Sequence, residues 1–146
     1  MELTIFTPTY NRETFLEGLY KSIVCSVEAC KSDDSVEWLI IDDGSKTDIE
    51  KVVNRFYDCS PFLIKYIKKN NGGKHTAFNL AITRASGDLF VCIDDDDRLT
   101  KNAITDIFKL ARKYKNTKYV GYVGRVVDEN NTLQVKLLTL PLKVIQ

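Results

Sequence analysis

Leu89-Phe90-Val91-Cys92-Ile93-Asp94-Asp95-Asp96-Asp97 sets five apolar residues directly against four carboxylates. A run that is apolar at every position suits a strand covered on both faces, as in the centre of a parallel sheet. The acids that follow then stand at the carboxyl edge of the sheet, where open α/β folds place their ligands. Four adjacent aspartates repel one another unless water or a cation compensates them, and a hard divalent ion with oxygen ligands is a natural partner. A solvated acidic loop leading into a helix after Arg98 accounts for the same residues, because Asp is favoured near a helix N-terminus.

Outward from this run, short β-rich segments alternate with segments of helical period, which predicts an α/β layered fold. Strands are expected at 3–7, 36–42, 63–68, 89–94 and 119–127. Phe15, Leu16, Leu19, Tyr20, Ile23, Val24 and Val27 form the apolar stripe of a first helix. Thr47 and Glu50 have the spacing of a capping box that starts a second. A third helix runs from about 74 to 85 before Ser86-Gly87, and a fourth carries Ile104, Ile107, Phe108 and Ala111. Asp128-Glu129-Asn130-Asn131 reads as a hairpin turn between 119–127 and 132–138. The order predicts one domain over 1–146, with a mostly parallel central sheet flanked by helices.

The 146 residues are 44% hydrophobic and 28% charged, enough apolar side chain to offset the entropy of ordering one compact domain. Lys and Arg (21) nearly balance Asp and Glu (20), so no global field draws the chain to nucleic acid or an anionic membrane. No apolar stretch reaches membrane-spanning length, and Met1-Glu2-Leu3-Thr4-Ile5-Phe6 does not read as a signal peptide. Cys25, Cys30, Cys59 and Cys92 show no CxxC pairing, which suits reduced thiols in the cytoplasm.

Each of the first four predicted strands ends in a polar cluster: Thr7-Pro8-Thr9-Tyr10-Asn11-Arg12, Asp42-Asp43-Gly44-Ser45, Asn70-Asn71-Gly72-Gly73-Lys74 and Asp94-Asp95-Asp96-Asp97. Asp42-Asp43-Gly44-Ser45 is composed like a turn, yet a carboxylate at the mouth of a buried strand can also accept from the N–H of a base. Tyr10 suits either ordinary packing or stacking on a base. Asn71-Gly72-Gly73-Lys74 offers backbone N–H groups and a cation at a helix start, a pattern for cradling an anion. It is not a Walker A loop, because His75 follows Lys74 where Ser or Thr is required. His75 is the only histidine, and a surface or helix-capping role describes it better than a catalytic one.

Taken in order, these four segments resemble the family 2 glycosyltransferases, an inverting group with the GT-A (Rossmann-like) fold. The matching residues are Thr7-Pro8-Thr9-Tyr10-Asn11-Arg12, Ile41-Asp42-Asp43-Gly44-Ser45, Asn71-Gly72-Gly73-Lys74 through Ala77 and Asn79 to Ala85-Ser86-Gly87-Asp88, and Ile93-Asp94-Asp95-Asp96-Asp97, together covering residues 3–100. The resemblance implies that Pro8 and Tyr10 line a base pocket, with Tyr10 stacking on uracil and Asp43 accepting from its ring N–H. It implies that Lys74 and Asn79 lie near the diphosphate or base. Asp94-Asp95-Asp96 would be the DxD motif, with Asp94 and Asp95 on the nucleotide sugar and Asp96, with Asp94, on Mn²⁺ or Mg²⁺. The implied partners are a nucleotide-diphosphate sugar, in particular a UDP-sugar, and a glycan or lipid-linked acceptor.

Family members carry a carboxylate base well beyond the DxD motif. After Asp97 the acids are Asp106, Asp128 and Glu129, and none is assigned as base. The sequence ends at Gln146, where family domains continue into an acceptor-binding half, so the expectation is an N-terminal, donor-binding portion that transfers poorly by itself. A nucleotidyltransferase, an acidic-pocket receiver module and a non-catalytic nucleotide-sugar-binding module are the alternatives. The first lacks a Gly-rich, Arg-containing loop after the first strand, and the second lacks paired acids there.

Overall fold

The computed structural model describes residues 1–115, 122–127 and 133–141. Its elements run β1 (Glu2–Thr9), α1 (Glu13–Ala29), β2 (Ser35–Asp42), α2 (Ile49–Tyr57), β3 (Leu63–Lys68), α3 (Lys74–Arg84), β4 (Leu89–Cys92), α4 (Ala103–Lys113), β5 (Tyr122–Val127) and β6 (Leu133–Pro141). They form one sheet in the order β3-β2-β1-β4-β6-β5. The β3-β2-β1-β4 portion is parallel, and β6 joins β4 antiparallel with Leu89 opposite Pro141. The expected α/β fold with a mostly parallel sheet and flanking helices is therefore the fold observed. The antiparallel pairing of β5 with β6 agrees with the expected hairpin arms, while its turn at 128–131 lies outside the described residues.

Strand alternation divides the core into two layers. Leu3, Ile5, Trp38, Ile40 and Val91 face α1, α2 and α4, where Leu16, Leu19, Ile23, Val53, Phe56, Ile104 and Phe108 meet them. Phe6, Leu39, Ile41 and Phe90 face the opposite way, onto Ala77 and Ala81 of α3. The two alanines let α3 lie close to the sheet, so its N-terminus arrives at the carboxyl edge of β1 and β4. Trp38 is fully buried, and its indole N–H donates to the Thr7 hydroxyl at 3.0 Å, so the largest core side chain leaves no orphaned polar atom.

Two local expectations are corrected. The second helix is capped by Asp48, whose carboxylate accepts from the Lys51 amide at 3.0 Å, and not by Thr47, whose hydroxyl is buried without a partner. A helix starting at Ile49 puts Ile49, Val53 and Phe56 on the core, and a carboxylate is the better acceptor at the positive end of the helix. Phe15 is not part of the buried stripe of α1. It is 41% exposed, with the Arg12 guanidinium 4.6 Å over its ring.

Candidate functional site

The parallel register lines up the carboxyl ends of β1 and β2, with Thr9 opposite Asp42, and the Ile93 amide extends β4 by donating to Phe6 O at 2.9 Å. The polar clusters after these strands meet at one edge of the sheet. There a cleft of about 270 Å³ is lined by Pro8, Thr9, Tyr10, Arg12, Asp43, Lys74, Asp94 and Asp95. Of the residues anticipated from the sequence, Pro8, Tyr10, Asp43, Lys74, Asp94 and Asp95 thus share one cleft. Asn79 sits exposed on α3 and is not part of its lining, and Asp96 stands beside it, held by Arg12.

Tyr10 is 44% exposed, so a face of its ring is open to a flat ligand. The turn into it is tight: Asn11 has φ 53°, a left-handed conformation that Asn tolerates better than most residues. That conformation is held from the neighbouring strand end, because the Asn11 amide donates to Ser45 Oγ at 2.8 Å and its Oδ1 accepts from the Lys46 amide at 2.7 Å. Ser45 is fixed in turn by its amide donating to Asp42 Oδ1 at 2.8 Å, and Asp42 Oδ2 accepts from the Tyr66 hydroxyl at 2.8 Å. Burial and the Asp42 carboxylate together push the Tyr66 phenol well above its usual range.

Asp43 has more partners than the sequence suggested. Its Oδ1 accepts from Lys69 Nζ at 2.5 Å and the Gly72 amide at 3.0 Å, and its Oδ2 from the Gly73 amide at 2.7 Å and Asn71 Nδ2 at 3.2 Å. Those four donors fill the lone-pair capacity of an ionised carboxylate. Burial would raise this carboxyl, but the hydrogen bonds from Lys69 and from the Gly73 and Gly72 amides bring it below the usual range. Asp43 therefore shapes the Asn71-Gly72-Gly73 loop that leads into α3. Gly44, at φ 82°, allows the close approach, since a Cβ there would lie 2.7 Å from the Asn71 amide nitrogen. Gly73, at φ 90°, makes the turn that starts α3 and so aims Lys74 across the cleft.

The acid loop is a turn closed by the Asp97 amide donating to Asp94 O at 3.1 Å. Its carboxylates have distinct surroundings. Asp94 accepts from Lys74 Nζ at 2.5 Å. Asp95 is buried, accepts from the Thr9 hydroxyl at 2.9 Å and lies 3.3 Å from the Arg12 guanidinium. Asp96 accepts from Arg12 Nη2 at 2.6 Å. Burial raises the Asp95 carboxyl against the pull of Thr9 and Arg12, whereas the Arg12 hydrogen bond draws Asp96 down. Burial, then Asp94 and Asp96, push Asp97 up.

The loop is docked onto α1. The Arg98 guanidinium lies against Gly18, where any Cβ would clash, and donates to the Asp97 carbonyl at 2.6 Å. Ser22 Oγ accepts from the Leu99 amide and Ser26 Oγ from the Ile104 amide, both at 3.1 Å. From another helix, Ser22 thus satisfies a backbone donor in the segment leading to α4 and Ser26 one in the first turn of α4, a service that Asn102 at the N-cap does not perform.

The carboxylates are the right kind of donor for a hard divalent cation, and Asp94 and Asp96 are both at the surface of the loop. As arranged they are neutralised from within the chain, by Lys74 and Arg12. Among the described residues no three acids, histidines or cysteines converge closely enough to hold an ion. Asp106 is exposed on α4, and Asp128 and Glu129 lie outside the described residues. His75 is exposed and does not line the cleft. Arg12, Lys69 and the Ser22–Ser26 pair were missed in the sequence. Only Arg12 carried a signal there, as a cation at a strand end that needed one.

Residues 4–142 match the family described as Glycosyl transferase family 2, which extends the resemblance well past residue 100. An uncharacterized glycosyltransferase of Mycoplasma genitalium is 32% identical over 118 residues, 79% of this chain and 39% of that protein. The poly(ribitol-phosphate) beta-N-acetylglucosaminyltransferase TarS of Staphylococcus aureus is 25% identical over 109 residues, 73% of this chain and 18% of that one. Among solved structures, the mannosyltransferase PcManGT of Pyrobaculum calidifontis, in complex with GDP-Man and Mn²⁺, superposes with a TM-score of 0.73 at 20% identity, covering 95% of this chain and 44% of that one. TarS residues 1–349 with UDP-GlcNAc superpose with a TM-score of 0.68 at 19% identity, covering 97% and 46%. The chain thus spans less than half the length of these relatives, and the structural likeness gives the fold, GT-A. Among the described residues no helix is long and apolar enough to cross a membrane.

Proposed function

The chain belongs to glycosyl transferase family 2, and on that premise we propose that its cleft binds the nucleotide diphosphate of a UDP-sugar for metal-assisted, inverting transfer to a glycan or other hydroxyl acceptor. The observation that carries the proposal is the composition of the cleft, which brings a partly exposed aromatic ring together with Asp43, Lys74, Asp94 and Asp95. An aromatic ring suits a base, and a cation at a helix N-terminus suits a phosphate.

In the transfer, the acceptor oxygen bonds to the anomeric carbon as the bond from that carbon to the diphosphate breaks. The electron pair leaves on the diphosphate, the acceptor proton passes to a base, and attack opposite the leaving group inverts the configuration. A bound divalent cation would act as a Lewis acid on the leaving diphosphate. Asp94 and Asp96 are the residues proposed to hold it. Lys74, the first residue of α3, adds its charge on the same side as the helix's free N–H groups. Tyr10 stacks on uracil, Pro8 closes the base pocket, and Asp43 takes the uracil N–H in exchange for one of its side-chain donors, Lys69 or Asn71, while the Gly72 and Gly73 amides keep it tied to the 71–73 loop.

Calorimetric titration with UDP, with Mn²⁺ and with EDTA, tests this directly. Metal-dependent UDP binding supports the proposal, and a panel including GDP tests the preference for uracil. Equal binding in Mn²⁺ and EDTA removes the metal, and no binding of any nucleotide removes the donor site.

A further inference from the structure

Arg12 is the best-held cation at the cleft. Its guanidinium reaches across 84 residues of sequence to Asp96 at 2.6 Å and lies 3.3 Å from buried Asp95. Its flat face rests on Phe15, with 4.6 Å between its central carbon and the ring centroid. A flexible surface arginine adopts many rotamers. Here carboxylates at its edge and an aromatic ring beneath its face fix one. Phe15, in the first turn of α1, contributes little to the core and is left exposed, so its placement is explained by the arginine above it.

We propose that Arg12 is a resident counter-cation for Asp95 and Asp96, a positioning residue that must swing off Asp96 before that carboxylate can take a divalent metal. This rests on the reading of Asp96 as a metal ligand. The guanidinium and the metal compete for the same oxygen, and a diphosphate offers the displaced arginine a new partner. Metal and nucleotide binding are therefore coupled: each is weak alone, and each strengthens the other by the same factor, because linkage between two ligands is reciprocal.

The test is uptake of Mn²⁺ by the 146-residue chain, followed by loss of the free-ion electron paramagnetic resonance signal, with and without UDP. Without UDP, Arg12→Gln should bind Mn²⁺ about tenfold more tightly than wild type, within the usual range of coupling between sites. Phe15→Leu keeps the charge but removes its aromatic seat, and should tighten Mn²⁺ by about two- to fivefold. In both variants the enhancement of Mn²⁺ binding by UDP should shrink. A tightening is not what general damage to the fold produces, and Phe15→Leu keeps the test decisive if Arg12→Gln misfolds. Unchanged or weaker Mn²⁺ binding in the variants, with metal-dependent UDP binding intact, overturns the role of Arg12 and leaves the donor site standing. If no protein takes up Mn²⁺ even with UDP, the metal reading and this role fall together, and UDP binding in EDTA then decides the donor site separately.

Discussion

Replacing Asp43 by alanine removes the acceptor for four donors at once: Lys69, Asn71 and the amides of Gly72 and Gly73. Hydrogen bonds to a charged group are worth roughly 1.5–3 kcal/mol each, but adding four such values would overstate the cost. Asn71 and Gly72 are exposed, so once the carboxylate is gone their donors turn to water. A net loss of about 2–3 kcal/mol follows, or roughly 4–12 °C in Tm for a chain of this size. UDP affinity should also fall, by at least about tenfold, because the loop that aims Lys74 loses its anchor while the base loses an acceptor. The pH dependence has a definite sign. The folded carboxyl lies below its usual range. Its contribution is therefore fully present above the unfolded value of roughly 3.9 and is lost as pH falls through the lower folded value. The Tm difference between wild type and Asp43→Asn should accordingly be largest near neutrality and shrink below about pH 4. Thermal melts by circular dichroism across that range, with UDP calorimetry at neutral pH, make the comparison. An Asp43→Ala protein that melts within a degree of wild type and binds UDP equally would refute the assignment of both loop and base to this carboxylate.

Asp96→Asn should weaken UDP binding in Mn²⁺ by about tenfold or more and leave binding in EDTA nearly unchanged, a contrast that calorimetry under the two conditions reads directly. Tyr10→Ala should cost roughly 1–3 kcal/mol of UDP affinity, by analogy with aromatic–base stacking, with a smaller loss of stability because the residue is 44% exposed and outside the core clusters; a fluorescence titration beside a thermal melt separates the two. Gly44→Ala should lower the urea midpoint by the equivalent of about 1–3 kcal/mol, since it forces a side chain into φ 82° with its Cβ 2.7 Å from the Asn71 nitrogen.

Much of the fold was legible because burial leaves a local record. The run 89–93 is apolar throughout because it becomes a strand covered on both faces, and Ala77 and Ala81 recur at helical spacing because α3 lies against Phe6 and Phe90. The same logic made Tyr10, Asp43, Asp94 and Asp95 stand out, since residues directly after buried strands are carried to one sheet edge, and it marked Lys74 as a cation at a helix start, while Pro8 was singled out by the resemblance. Asn79 was anticipated by resemblance alone, and no strand end carries it to the cleft. The two misread details were local choices between near-equals. Asp48 and Thr47 are adjacent capping residues, and only the seating of Ile49 in the core favours the first. Phe15 has the period of the α1 stripe, but it lies at the stripe's margin, where a guanidinium covers it instead of the sheet.

The sequence by itself determined the alternation of elements, the strand ends that carry chemistry and the family to which those ends belong, because each depends on residues within a few positions of one another. Tertiary structure alone decided the partners: Asp43 with a loop 28–30 residues away, Lys74 with Asp94, and Arg12 with Asp95 and with Asp96, 84 residues on. Those pairings follow from the strand order β3-β2-β1-β4, which sets β1 between β2 and β4 and brings distant loops within hydrogen-bond reach. An ion pair acts over a few ångströms of space whatever the separation along the chain, so no local pattern in the sequence records it.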